Sequence, residues 1–208
     1  MDRQGKVTIT PRFASAVSVV DDRVIGIDTK YRWGVYTPRG DVVVASEYHG
    51  IGACGALFLA TRKDHAKVLF DRDGRTIGKT RFANVGTEGD GLVPVQAKAD
   101  GPWGYVDLRG EMVIAPRFTG AFAFGRDHAL AVENGALLVI DRSGKETARP
   151  RLGDVERASA FGKSGLAWAG EETSAVVALD GRIVVPNLLQ GVDRLDEPIV
   201  WIRYAEPD

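Results

Sequence analysis

A glycine-closed turn recurs along the whole chain at nearly constant spacing. The turns end at Gly5, Gly40, Gly74, Gly110, Gly144 and Gly181, so the intervals are 35, 34, 36, 34 and 37 residues. Such a period is typical of a tandem array in which each repeat supplies one supersecondary unit. The 208 residues are therefore expected to fold as six repeats in one domain, residues 1–208.

The turn residues have the chemistry of β-hairpins. Aspartate stands three positions before the glycine in four copies, at Asp2, Asp71, Asp107 and Asp141. An aspartate at the first turn position accepts hydrogen bonds from the turn amides, and glycine at the fourth tolerates positive φ. We therefore predict that these aspartates form turns and are not catalytic acids.

A large apolar residue, here called the anchor, stands eight positions after every turn glycine. The anchors are Phe13, Tyr48, Phe82, Phe118, Leu152 and Leu189. A β-branched segment lies between glycine and anchor, and another apolar segment follows each anchor. These patterns predict an all-β fold of six tandem repeats, each a three-stranded antiparallel unit of about 35 residues. An open curved array or solenoid is favoured, and a closed or nearly closed β-propeller-like fold is the alternative.

Two copies carry a Trp-Gly pair directly before the turn. They read WGVYTPRG at residues 33–40 and WGYVDLRGEMVIAPRF at residues 103–118. The later segments FGKSGLAWA, residues 161–169, and FGRDHALAV, residues 124–132, follow a related pattern. In these features the chain resembles the WG-repeat family. The other copies depart from the pair and have Lys67-Val68, Leu137-Leu138 and Ser174-Ala175.

The resemblance implies a bacterial, all-β, non-catalytic repeat module. It supplies no catalytic residues to transfer to this chain. Trp33 and Trp103 are expected to pack in the core, because a following glycine lets the ring lie over a neighbouring strand.

The segment GIGACG, residues 50–55, matches the glycine pattern of dinucleotide-binding loops. That pattern binds a pyrophosphate only where a helix begins at the glycines. The following ALFLATRKDHAKVLF indicates strand, turn and strand instead. We therefore interpret the segment as a loop that joins the Tyr48 anchor to the next strand, and expect no cofactor.

The remaining chemistry-bearing residues form no recognisable catalytic or metal pattern. His49, His65 and His128 lie in different copies without ligand spacing, and Cys54 is the only cysteine. We expect no metal site, no disulfide and no enzymatic activity.

The charge balance also excludes some partners. Lys and Arg total 27 and Asp and Glu total 28, a net charge of −1, so neither nucleic acid nor a membrane surface is an expected partner. With no apolar run at the start and no apolar stretch of about 20 residues, we expect a cytoplasmic protein. A monomer in isolation is favoured.

An arginine precedes the anchor in four copies, at Arg12, Arg81, Arg117 and Arg151. Neighbouring strand residues point to opposite faces, so buried anchors would leave these arginines exposed. They are either ordinary surface residues or a basic stripe that binds an acidic protein surface or a carboxylate ligand.

The last copy is rich in acidic and aromatic residues, among them Asp193, Asp196, Glu197 and Trp201. A terminal repeat needs a cap over its outer edge, and this segment suits that role. A docking edge for a protein partner is the other interpretation.

The function predicted from these features is protein binding without catalysis. A bacterial immunity-type protein that neutralises a secreted toxin by binding it is the leading hypothesis. The alternatives are a receptor for a small ligand or cell-wall fragment, using Trp168 and Trp201 with the arginines, or a general scaffold subunit.

Overall fold

The chain forms β-strands joined by short turns. The computed structural model describes residues 13–170, 174–194 and 201–204. β-Branched and aromatic residues, which favour extended backbone, recur in most of the strands. The strands are β1 Phe13–Val20, β2 Arg23–Asp28, β3 Trp33–Tyr36, β4 Val42–Tyr48, β5 Gly50–Cys54, β6 Leu57–Thr61, β7 Lys67–Phe70, β8 Thr76–Phe82, β9 Asn84–Val85, β10 Leu92–Gln96, β11 Trp103–Asp107, β12 Met112–Phe118, β13 Gly120–Ala121, β14 His128–Glu133, β15 Ala136–Asp141, β16 Glu146–Ala148, β17 Arg157–Ala158, β18 Leu166–Gly170, β19 Ser174–Ala178, β20 Ile183–Arg194 and β21 Trp201–Tyr204.

The described strands make five antiparallel sheets with consecutive strand order. Four sheets have four strands, β1-β2-β3-β4, β5-β6-β7-β8, β9-β10-β11-β12 and β13-β14-β15-β16, and the fifth is β17-β18-β19-β20-β21. The prediction of an all-β fold is confirmed. Six repeats are not confirmed, and the prediction of three strands per unit is wrong for these sheets.

The missing strand is the segment that follows each anchor. GIGAC is strand β5, which pairs with β6 from Gly50 opposite Thr61 to Cys54 opposite Leu57. Its interpretation as a loop is therefore wrong, although strand β6 follows it where a dinucleotide site would need a helix. The equivalent strands β9, β13 and β17 have two residues each, too few to show the period-2 alternation that identifies a strand.

The turns have the predicted structure. Asp71 Oδ1 accepts hydrogen bonds from the amides of Asp73 at 2.9 Å and Arg75 at 2.8 Å. Asp141 Oδ1 makes the same pair of bonds in its own turn. The described turn glycines all have positive φ, namely Gly40, Gly74, Gly110, Gly144 and Gly181. Asp2 and Gly5 lie outside the described residues.

Each of the later turn glycines also packs against the sheet that precedes it. A Cβ added to Gly74 would lie 2.0 Å from the carbonyl oxygen of Val43 in β4, far inside van der Waals contact. The corresponding nearest residues at Gly110, Gly144 and Gly181 are Gly78, Ile114 and Ala148. Glycine is thus required twice, for its backbone angle and for the close approach of neighbouring sheets.

The Trp-Gly pair matches a bulge in the adjacent strand. Trp103 pairs with the Phe118 anchor and Tyr105 with Ile114, so β12 holds two extra residues opposite Gly104. A Cβ on Gly104 would lie 2.6 Å from the Ile114 carbonyl oxygen and 2.9 Å from the Pro116 nitrogen. The bulged strand therefore passes directly over the glycine, which explains the residue type.

Two of the three copies that lack the pair fit the same explanation, whereas in the third a bulge of residues 78–81 faces Val68, which is not small. Ser174 pairs with Leu189 and Val176 with Val185, so an equal bulge faces Ala175, another small residue. By contrast, the last pairing of β16 is Ala148 with Val139, so the strand stops short of Leu138. No bulge then covers Leu138, and a large side chain is accommodated.

The hydrophobic core is divided between two compact units. The first comprises Met1–Val85 with Leu108–Gly110, and the second Gly86–Asp107 with Glu111–Asp208. The anchors Tyr48, Phe82 and Phe118 are buried as predicted. The Phe118 ring packs edge-on against Tyr105, with 6.2 Å between ring centroids. The single domain predicted for residues 1–208 stays a prediction.

The glycine of the Trp-Gly pair gives a stability test. We expect Gly104→Ala to lower the free energy of unfolding by about 2–3 kcal/mol, because the bulge backbone must move. Gly52→Ala in strand β5 is the matched control, since a Cβ there meets nothing within 4 Å. It should change stability by less than about 0.5 kcal/mol. Urea unfolding followed by circular dichroism measures both, and equal effects would contradict the bulge explanation.

The turn glycines give a second test. Gly74→Ala and Gly135→Ala both place a side chain at positive φ, which costs about 1–2 kcal/mol. Only Gly74 lies against another strand, whereas a Cβ on Gly135 has open space around it. Gly74→Ala should therefore lower the thermal midpoint clearly more than Gly135→Ala in differential scanning calorimetry. Similar midpoints would show that backbone angle alone explains the glycine.

Candidate binding surface at the loop ends of the sheets

Each of the first four sheets has a hairpin between its second and third strands, and we call the end where it lies the loop end. These loops are residues 29–32, 62–66, 97–102 and 134–135, which gives lengths of four, five, six and two. At the opposite end, the turn end, the turns between third and fourth strands keep four or five residues in every described sheet, while the connections between first and second strands have two, two, six, six and seven. Length variation on a constant scaffold is typical of binding loops, and here it occurs at both ends.

The turn ends are occupied by contacts between repeats. Arg142, at the second turn position, donates to the Asp90 carbonyl at 2.7 Å and lies 3.5 Å from the Asp127 carboxylate. Arg72, at the same position of its own turn, lies 3.2 Å from the Asp21 carboxylate. Exposed ion pairs of this kind contribute little stability each, but they leave fewer polar groups for a partner.

The first unit has a polar pocket of about 340 Å³ at its loop end. We call it the Tyr48 pocket, and it is lined by Glu47, Tyr48, Arg62, Lys63 and Asp64. Strand β4 supplies the first two residues and the β6–β7 loop the other three. Burial, and then the hydrogen bond and charge of Glu47, raise the pKa of Tyr48, so its hydroxyl stays protonated at neutral pH.

The second unit has a larger pocket, of about 430 Å³, in the corresponding place. We call it the Trp103 pocket, and it is lined by Trp103, Thr119, Gly120, Ala121, Phe122, Val132, Val155 and Glu156. Aromatic and aliphatic side chains dominate, with Glu156 at the surface. Trp103 packs against the core as predicted and also lines this pocket, which was not expected.

The predicted arginine stripe is only partly described. Arg81 is exposed and pairs with Asp64, with 3.0 Å between Nη1 and Oδ2. Arg117 pairs with Glu133 at 3.1 Å, and its guanidinium lies 4.5 Å from the Phe118 ring centroid. Arg151 is exposed and lies outside the strands. Arg12 lies outside the described residues, and whether the stripe binds anything stays a prediction.

Most of the predicted C-terminal edge lies outside the described residues. Asp196 and Glu197 are outside the described residues. Asp193 belongs to strand β20 and Trp201 to strand β21, which pair with each other, but their side chains are outside the described part.

Most pocket residues could not be recognised from the sequence. Arg62, Lys63 and Asp64 are a visible charge run, but only folding brings them beside Tyr48. Phe122 and Val155 come from segments with no recognisable motif. The described residues hold no group of three or more metal-ligating side chains, and Cys54 is buried. In the same part of the chain, no helix is long and apolar enough to cross a membrane.

Comparison with known proteins identifies the repeat. The family model described as WG containing repeat matches residues 103–135. The chain carries a WG repeat. This match begins at Trp103 and includes the bulge and the Phe118 anchor, so the WG repeat contains most of what shapes the Trp103 pocket. No curated protein matches the sequence.

Solved structures resemble the fold at low sequence identity. The computationally designed Ika8 protein has a TM-score of 0.57 at 15% identity, over 90% of this chain and 67% of that one. Hsv2p of Kluyveromyces lactis has a TM-score of 0.53 at 10% identity, over 82% and 63%. BamB of Moraxella catarrhalis has a TM-score of 0.52 at 13% identity, over 92% and 67%.

These likenesses show the fold alone. Hsv2p and BamB are β-propeller-like, with which the consecutive four-stranded sheets agree. The matched part of this chain spans about two thirds of the length of each of these structures.

The arginines before the anchors can be tested for whether they stabilise the fold or are ordinary surface residues. Arg117→Gln should lower the free energy of unfolding by about 1–2 kcal/mol, because Arg117 bonds to Glu133 and the Gly144 carbonyl and stacks on Phe118. Arg151→Gln should change it by less than about 0.5 kcal/mol. Urea unfolding measures both, and an equal effect would mean that the Arg117 contacts contribute nothing.

Proposed function

We propose that this chain is a non-catalytic module that binds a protein partner through the loop ends of its sheets. The observation that carries the proposal is the Trp103 pocket, where Trp103, Phe122 and Val155 line about 430 Å³ of apolar space. Aromatic side chains in a partly solvated pocket are the usual anchoring points of protein interfaces.

The partner that we favour is a secreted toxin that this chain neutralises by binding. This more specific proposal follows from the implications of the WG-repeat resemblance and is carried by no individual residue. The localisation that goes with it is the cytoplasm. An open array of repeats is the arrangement that we favour.

The test begins with identification of the partner. A tagged chain expressed in its native host, followed by mass spectrometry, would name candidates, and calorimetry with the purified candidate would give the dissociation constant. For the toxin proposal, co-expression should restore growth of cells that produce the candidate. Failure to protect cells from a tightly bound candidate would contradict the toxin proposal alone.

A variant pair then tests the pocket. Val155→Arg places a charged side chain in the Trp103 pocket and should weaken partner binding at least about tenfold. Val113→Arg is the matched control, because Val113 is 45% exposed and lies outside both pockets. It should leave the dissociation constant within about twofold. If both variants bind like the parent chain, the Trp103 pocket is not the binding site.

A further inference from the structure

The Tyr48 pocket differs from the Trp103 pocket in being lined by charged groups. Its wall is the β6–β7 loop with Arg62, Lys63 and Asp64, and its floor is the ring of Tyr48. That ring is 6% exposed and packs edge-on against Phe70, with 5.5 Å between centroids. The floor is therefore rigid, while the charged wall faces solvent.

The acidic groups of this pocket already have partners. Asp64 is bound by Arg81 at 3.0 Å, and the Glu47 carboxylate accepts the hydrogen bond of the Tyr48 hydroxyl. Among the described residues, neither Arg62 nor Lys63 is in an ion pair. The Tyr48 hydroxyl is neutral, so Glu47 keeps its charge. Counting Arg81, three cations stand against two carboxylates here, an excess of one positive charge.

We propose that the Tyr48 pocket binds a carboxylate side chain of an acidic segment in the protein partner. Arg62 would offer its planar fork and Lys63 a second donor, the usual recognition of a carboxylate. Glu47 and Asp64 still line the pocket, which disfavours a doubly charged phosphate relative to a singly charged carboxylate. This inference rests on the proposed function, because it names the chemical group of the protein partner that the Tyr48 pocket accepts.

Arg81 then acts as a positioning residue. Because its guanidinium neutralises Asp64, it keeps that carboxylate from pairing with Arg62 or Lys63 in place of the ligand. The predicted basic stripe would in this unit support the binding site without itself contacting the partner. The positioning role of Arg81 can therefore be tested by also substituting Asp64.

The probe is a capped hexaglutamate peptide titrated into the full chain by isothermal calorimetry, with a hexaglutamine peptide as the neutral control. Hexaglutamate should bind and hexaglutamine should not. The double variant Arg62→Gln with Lys63→Gln should weaken hexaglutamate binding at least about tenfold. Arg75→Gln removes an arginine that lies outside the pocket and is 77% exposed, and it should change binding by less than about twofold.

Rescue tests whether Arg81 acts through Asp64. Arg81→Gln should weaken hexaglutamate binding because Asp64 is released, and adding Asp64→Asn to that variant should restore it. If Arg81 instead contacts the peptide directly, the loss of that contact should persist in the double variant. Thermal midpoints of all variants verify that each remains folded.

The possible results decide the proposal. No binding of hexaglutamate, or equal losses for the pocket double variant and Arg75→Gln, would overturn it. Displacement of hexaglutamate by inorganic phosphate at lower concentration would also overturn it, in favour of a phosphate site. Partner binding that depends on Val155 but not on Arg62 and Lys63 would leave the proposed function standing and refute this inference. Hexaglutamate binding, together with failure to find any protein partner, would support this inference and contradict the proposed function.

Discussion

The close approach of a turn glycine to the preceding sheet is the contact on which the repeat depends. At Gly74 the turn backbone lies so near the Val43 carbonyl that no side chain fits, and Gly181 is similarly confined by Ala148. Because each contact occurs at the corresponding place of its repeat, it sets how successive sheets follow one another within a unit. A change of spacing between glycine and strand would lose both the turn and the packing. The near-constant period of about 35 residues follows from this restriction.

A second restriction acts inside the sheets that contain the Trp-Gly pair. The fourth strand carries a bulge before its anchor, and the bulge passes over the second residue of the pair. The pair is therefore a packing signature in which tryptophan pairs with the anchor and glycine makes room. Beside Leu138 the bulge is absent, and the pair disappears without loss of the sheet.

The local features were predictable and the assembled ones were not. Turn aspartates, positive-φ glycines and buried anchors such as Phe118 follow from spacing and residue type, and the structure confirms them. The strand after each anchor was missed because two residues such as Asn84-Val85 carry no alternation, and because the glycines of GIGAC indicate a turn. The pockets were missed because their walls come from distant segments. Tyr48 and Arg62 are separated by strands β5 and β6, and Arg62 begins a loop whose length differs between sheets, so no fixed spacing marks the site.

The two pockets show how a constant scaffold can carry different chemistry. Each lies beside an anchor position and near the middle hairpin of the following sheet, yet one is lined by Arg62 and Lys63 and the other by Phe122 and Val155. The anchors and turn glycines cannot vary without cost to packing, so differences between repeats accumulate at the loop ends.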